Sequence, residues 1–139
     1  MTGRSGNRLD LYAWTTATTV AAAVAMLAAA SVHAVAAPGT PAGDPVRGKT
    51  VYQVCTGCHS LDEDDVGPHH RGVVGRVAGT VSGYAYSPAL RNSRIVWSQD
   101  TLDRWLTNPQ ALVPGARMFF AMPNAQDRAD VIAYLTQQR

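Results

Sequence analysis

The stretch Cys55-Thr56-Gly57-Cys58-His59 places two thiols and an imidazole within five residues. These are the only two cysteines in a chain of 139 residues. Four chemistries use such a set. A disulfide would pair the thiols, although their i, i+3 placement suits a local role better. A thioredoxin-like C-x-x-C works within a βαβ unit, and no such pattern surrounds this one. Half of a zinc site needs two further ligands; there is no second cysteine pair, and His69 and His70 would have to serve. C-x-x-C-H is the attachment signature of a c-type haem. Two thiols on one turn can each add to a porphyrin vinyl group, and the next residue then offers an imidazole to the iron. That use accounts for all three residues, with His59 as the axial ligand.

Several elements must carry this motif. Asp44 is suited to cap a helix that begins at Pro45 and runs into the motif, with Val51, Tyr52 and Val54 as its apolar side. From Thr56 to Pro88 the chain is Gly-rich and aperiodic, with turns expected at Gly67-Pro68, Gly72, Gly75 and Gly79. A second helix is expected from Ser98 to Thr107, with Ser98 as cap and Leu102, Trp105 and Leu106 on one face. Pro109 is expected to stop it, leaving "NPQALVPGARM" as a turn-rich loop. A last helix starts at Asn124 and buries Val131, Ile132 and Leu135. No run alternates as a strand would, so the class is all-α with long loops. Loops of this length in so small a domain require something else to fill the core, which a cofactor would do.

The N-terminal segment is of a different kind. Arg4 and Arg8 precede a charge-free run that lasts until Asp44, and Ala34-Val35-Ala36 is a small-residue exit. This is the pattern of an export signal over residues 1–36, with 37–43 as a short linker and 44–139 as the functional domain. An uncleaved membrane anchor is the alternative, but the run is weakly apolar and the linker gives a tethered domain little reach. Residues 1–36 hold two of the 12 basic and one of the 10 acidic groups, so 10 and 9 remain, a net charge of +1. That balance gives no case for nucleic acid or an anionic membrane surface.

If the iron has a second axial ligand, the choice lies between Met118 and Met122, since Met1 and Met26 fall in the export segment. Core packing is the ordinary use of either. From about Gly43 to Leu135 the chain resembles a class I cytochrome c. The matching pieces are "GDPVRGK", "CTGCH", "GPHHRGVVGR", "SGYAYSPAL", "VWSQDTLDRWLTNP", "PGARMFF" and "RADVIAYL". The resemblance implies a few helices wrapped around one covalent haem, with the terminal helices crossing at Gly48 beside Tyr52 and Tyr134. It implies that Cys55 and Cys58 hold the haem and that His59 and Met118 bind iron. The Pro68 carbonyl would accept the His59 N–H and so orient the ring. Arg76, Tyr86 and Trp97 match groups that neutralise or hydrogen-bond a buried propionate. Trp105 stands where an aromatic lies beside the methionine sulfur, and Phe120 where one covers the haem edge.

The departures from that pattern are specific. Met122-Pro123 stands where the family turns through glycine, which keeps Met122 as a second candidate ligand. Ala116 and Leu90 replace hydrogen-bonding residues on the methionine side, and His70 replaces a leucine against the ring. His69 and the run Asp62-Glu63-Asp64-Asp65 are expected in a solvated loop. Lys49 is the only lysine, and Val54, Gln110, Ala111 and Gln126 occupy positions where the family carries a docking ring of lysines, Arg117 alone keeping a charge there. Steering by charge is therefore expected to be weak.

The function so implied is not enzymatic. It is a periplasmic one-electron carrier that accepts an electron from a quinol-oxidising bc-type complex or a dehydrogenase and passes it to an oxidase or similar acceptor. A dedicated haem c subunit of one periplasmic oxidoreductase is the nearest rival, and a peroxide-reactive haem protein the next. Contact with a membrane is expected only through partners or an uncleaved N-terminal segment.

Overall fold

The computed structural model describes residues 41–139; the export segment expected over 1–36 lies outside the described residues. Five α-helices follow in order: α1 (Pro45–Val51), α2 (Pro88–Asn92), α3 (Gln99–Thr107), α4 (Pro109–Leu112) and α5 (Ala125–Gln137). A 3-10 turn, Tyr52–Val54, leads from α1 into the cysteine motif. Among the described residues the only β pairing is one isolated antiparallel bridge between Val77 and Val96. No described helix is long and apolar enough to cross a membrane.

The helix starts expected from sequence are present. Asp44 caps α1 by accepting from the Val46 and Arg47 amides, with Pro45 in the first turn. Ser98 and Thr101 cap each other's backbone at the start of α3, and Asn124 accepts from the Gln126 and Asp127 amides at α5. Orphan N–H groups at a helix start are thereby satisfied.

Two short helices go beyond the expected elements, α2 directly after the aperiodic stretch that ends at Pro88 and α4 inside the stretch expected as a turn-rich loop. Ser87 caps α2 ahead of Pro88, and Asn108 caps α4 ahead of Pro109. Pro109 does end α3, but with fixed φ and no N–H it is also suited to open the next helix. Val54 departs from the expected apolar side as well. The tightening into the 3-10 turn leaves it exposed while Tyr52 is buried.

The core gathers Leu102, Trp105 and Leu106 of α3 with Val131, Ile132 and Leu135 of α5, joined by Tyr52, Trp97, Val113 and Met122. The long segment after the motif is tied down at several backbone points. The Gly67 amide donates to Cys58 O at 2.7 Å, Arg71 to Leu61 O at 2.7 Å, and Gly75 to Trp97 O at 2.7 Å.

Helices α1 and α5 pack directly against each other. Gly48 is buried at their contact, where an added Cβ would collide with the Asp130 backbone carbonyl. Tyr52 and Tyr134 flank the contact with ring centroids 5.3 Å apart.

A buried charge that the sequence does not advertise completes this contact. Asp130, 0 % exposed, accepts from the Asp44 amide at 2.7 Å and the Gln126 side chain at 2.9 Å, and pairs with Arg47. Burial pushes the carboxyl pKa up, but these donors together hold it below the ordinary value. A carboxyl so held binds fewer protons folded than unfolded. Its contribution is therefore full above the ordinary carboxylate range and is lost as pH falls through the depressed folded-state value. Asp130→Asn is expected to lower stability at neutral pH and to flatten the acid limb of the stability–pH curve. Urea denaturation at successively lower pH measures both effects.

Candidate functional site

The chain leaves the 3-10 turn in two overlapping backbone bonds, with the Cys58 and His59 amides both donating to Cys55 O at 3.1 and 2.9 Å. This tight turn sets both thiols and the imidazole on the wall of one cavity of about 320 Å³. Both cysteines are free, so the disulfide reading is not realised. Burial, with Cys58 close by, pushes the Cys55 thiol up to about 11. A thiol so placed is a poor nucleophile at neutral pH, which disfavours thiol redox chemistry. Among the described residues no three His, Cys, Asp or Glu side chains converge as a metal site would require.

His59 is held in one orientation. Its Nδ1–H donates to the Pro68 carbonyl at 2.7 Å, so Nε2 carries no proton and is free to bind a metal. Burial lowers its pKa against the raising effect of that bond, which favours the neutral ring. Gly67 makes this arrangement possible, because an added Cβ would collide with the His59 ring. Gly67-Pro68 marks a turn in the sequence, and nothing in its spacing signals that close approach.

His70 stacks on the His59 ring with centroids 4.1 Å apart and an interplanar angle of 21°. The Tyr52 hydroxyl shares a hydrogen bond of 3.1 Å with His70 Nδ1. Burial and the neighbouring His59 and Arg76 push His70 down to about 3, so it too is neutral. His69 instead pairs with Asp64 at 2.8 Å in the loop where Asp62, Glu63, Asp64 and Asp65 are exposed.

The remaining predicted residues also come together. Pro68, Arg76, Tyr86, Trp97, Trp105, Met118 and Phe120 all line the same cavity. Trp97 and Trp105 are in contact, centroids 5.3 Å apart. Arg76 is fixed by the carbonyls of His69 and Arg71. Leu90 and His70 line the wall too, whereas Ala116 is buried in the core beside it. The two methionines part company. Met118 is half-buried on the cavity wall, while Met122 is buried in the core, its amide donating to Leu106 O at 2.7 Å.

The wall is mostly apolar, with a pair of free thiols and an unprotonated imidazole nitrogen on one side and a thioether among its other donors. A flat, iron-bearing tetrapyrrole fits this donor set, and a small helical protein built around it is of the c-type haem class. Comparison with known proteins gives the family. A protein-family model described as cytochrome c matches residues 45–139. The chain is 45 % identical over 119 residues to cytochrome c2 of Rhodomicrobium vannielii, covering 83 % of this chain and 94 % of that one. It is 45 % identical over 101 residues to "cytochrome c-type cyt cy" of Rhodobacter capsulatus, covering 70 % of this chain and 51 % of that one. Among solved structures, cytochrome cH from Methylobacterium extorquens superposes with a TM-score of 0.66 at 40 % identity, over 68 % of this chain and 98 % of its own.

The chain therefore belongs to the cytochrome c family, of class I. Its fold is the all-α cytochrome c fold, its cofactor is haem c held covalently by the pair Cys55 and Cys58, and its activity is electron transfer with redox partners.

Proposed function

We propose that this protein is a periplasmic one-electron carrier whose haem iron is bound by His59 and Met118. The observation that carries the reading is the separation of the methionines, with Met118 on the cavity wall and Met122 behind it in the core. A haem held by these two residues would supply reversible one-electron chemistry and leave no position for an added ligand, and sulfur ligation would favour the reduced state. The chain's own groups do the rest. Pro68 fixes the His59 tautomer, Arg76, Tyr86 and Trp97 offer donors for propionate oxygens, and Trp105 and Leu106 help exclude water.

Export rests on the N-terminal pattern, which we read as a cleaved signal over 1–36 with a linker to residue 43. The donor is a quinol-oxidising bc-type complex or a dehydrogenase, and the acceptor an oxidase or similar protein. The rim of the cavity is apolar, with Val66 71 % and Phe119 74 % exposed. With Lys49 the only lysine, such a rim also suits a lasting interface, the reading in which the chain is a dedicated subunit. Co-purification with a catalytic subunit would favour that reading over a diffusing carrier.

The test uses the reduced haem protein at neutral pH. Carbon monoxide is expected not to bind, and electron transfer to a partner in stopped flow is expected to vary little with ionic strength. Ready carbon monoxide binding would sink the closed-carrier reading, and a steep salt dependence would sink the apolar mode of docking.

A further inference from the structure

The backbone that carries Met118 is gripped by one side chain. Gln110, in α4, donates its amide to Ala116 O at 2.8 Å and to Met118 O at 2.9 Å. The same amide accepts from the Gly115 N–H at 3.2 Å. One planar group thus binds the Pro114-Gly115 turn and the methionine's own carbonyl. The support beneath it is firm, since Asn108 caps α4 and Pro109 is fully buried. Beyond Met118 the next main-chain anchor is Met122, whose amide meets Leu106 O and whose carbonyl meets Arg128. Phe119, Phe120 and Ala121 between them are exposed and make no backbone hydrogen bond to the described residues. As a position in a docking ring, Gln110 would be expected to face solvent. Instead its amide is turned onto the loop.

We propose that Gln110 is a positioning residue for the methionine ligand, holding the Met118 backbone so that its sulfur stays at the iron. This rests on the reading of Met118 as that ligand. Removing the amide donors frees the Ala116 and Met118 carbonyls while leaving α3, α5 and their core contacts intact. The loop then opens more often, and any added ligand that needs the sulfur displaced binds in proportion to the open fraction. Losing two ordinary hydrogen bonds moves such an equilibrium by roughly ten- to a hundredfold.

The test is titration of the oxidised holoprotein with imidazole, followed by loss of the far-red band that reports sulfur–iron bonding. Gln110→Ala and Gln110→Glu are both expected to bind imidazole roughly tenfold more tightly or better. The Glu variant keeps an acceptor for Gly115 but lacks the donors, so it isolates the grip on the carbonyls. Ile132→Val, a core change in α5 away from the cavity wall, is the control for general loss of stability. It is expected to lower the thermal midpoint without changing imidazole affinity. Parental imidazole affinity in both Gln110 variants overturns the proposal and leaves Met118 as ligand. Affinity that merely tracks thermal stability across all three variants overturns it too. A far-red band that survives Met118→Ala overturns the ligand reading and the proposal with it.

Discussion

Met118→Ala is expected to abolish the far-red sulfur–iron band of the oxidised protein. The midpoint potential should fall by on the order of tenths of a volt, within the span of about 0.8 V that axial ligands set. The sulfur stabilises ferrous iron, and its loss leaves a harder ligand or water in that position. Met122→Ala should leave both the band and the potential close to those of the parent. Its side chain packs among the buried residues of α3 and α5 and does not reach the cavity wall, so the band should persist. The cost there is a core void, about 2–5 kcal/mol for a buried methionine cut to alanine. Two optical spectra and two thermal melts separate the roles. Loss of the band in Met122→Ala alone would exchange the two methionines.

The second large effect lies at the contact between α1 and α5. In an exposed helix, replacing glycine by alanine stabilises by about 1 kcal/mol. Gly48→Ala should have the opposite sign, because the added methyl meets the Asp130 main-chain carbonyl, which cannot rotate away as a side chain can. The helices must separate, disturbing Asp130 with its Arg47 and Asp44 partners. We expect a loss of at least ~3 kcal/mol, the upper end of overpacking costs. For a domain of this size that lowers the melting temperature by roughly 10–20 °C. Thr50→Ala, at an exposed position of the same helix, serves as the reference and should shift it little. A melting temperature equal to or above the parent in Gly48→Ala would show that the helices do not meet as described.

Much of this protein was legible because its signals are local. Asp44-Pro45 and Ser98 announce helix starts through hydrogen bonds that span two or three residues. The same kind of signal stands at Ser87-Pro88 and Asn108-Pro109, where a capping residue before proline opens a short helix, although Pro88 reads only as the end of an aperiodic stretch and Pro109 only as a stop. Val54 was misplaced because a period of 3.6 was carried into a 3-10 turn. The ring of cavity residues, Arg76, Tyr86, Trp97, Trp105 and Phe120, came from likeness to a family. Nothing in their own spacing marks them, and core packing would have explained each one.

By itself, the sequence determined the anchoring chemistry. Cys55, Cys58 and His59 are neighbours on the chain, so one tight turn brings them together whatever the rest of the fold does. Only the tertiary structure decided which methionine faces the cavity, that Gly67 lies against the His59 ring, and that Gln110 turns inward on the methionine loop. It also decided the burial of Asp130, whose partner amide on Asp44 lies 86 residues away. The physical reason is the same in each case. A composition or period describes how one segment could fold, but whether a side chain meets a ring, a cavity or a carbonyl depends on the segment packed opposite it.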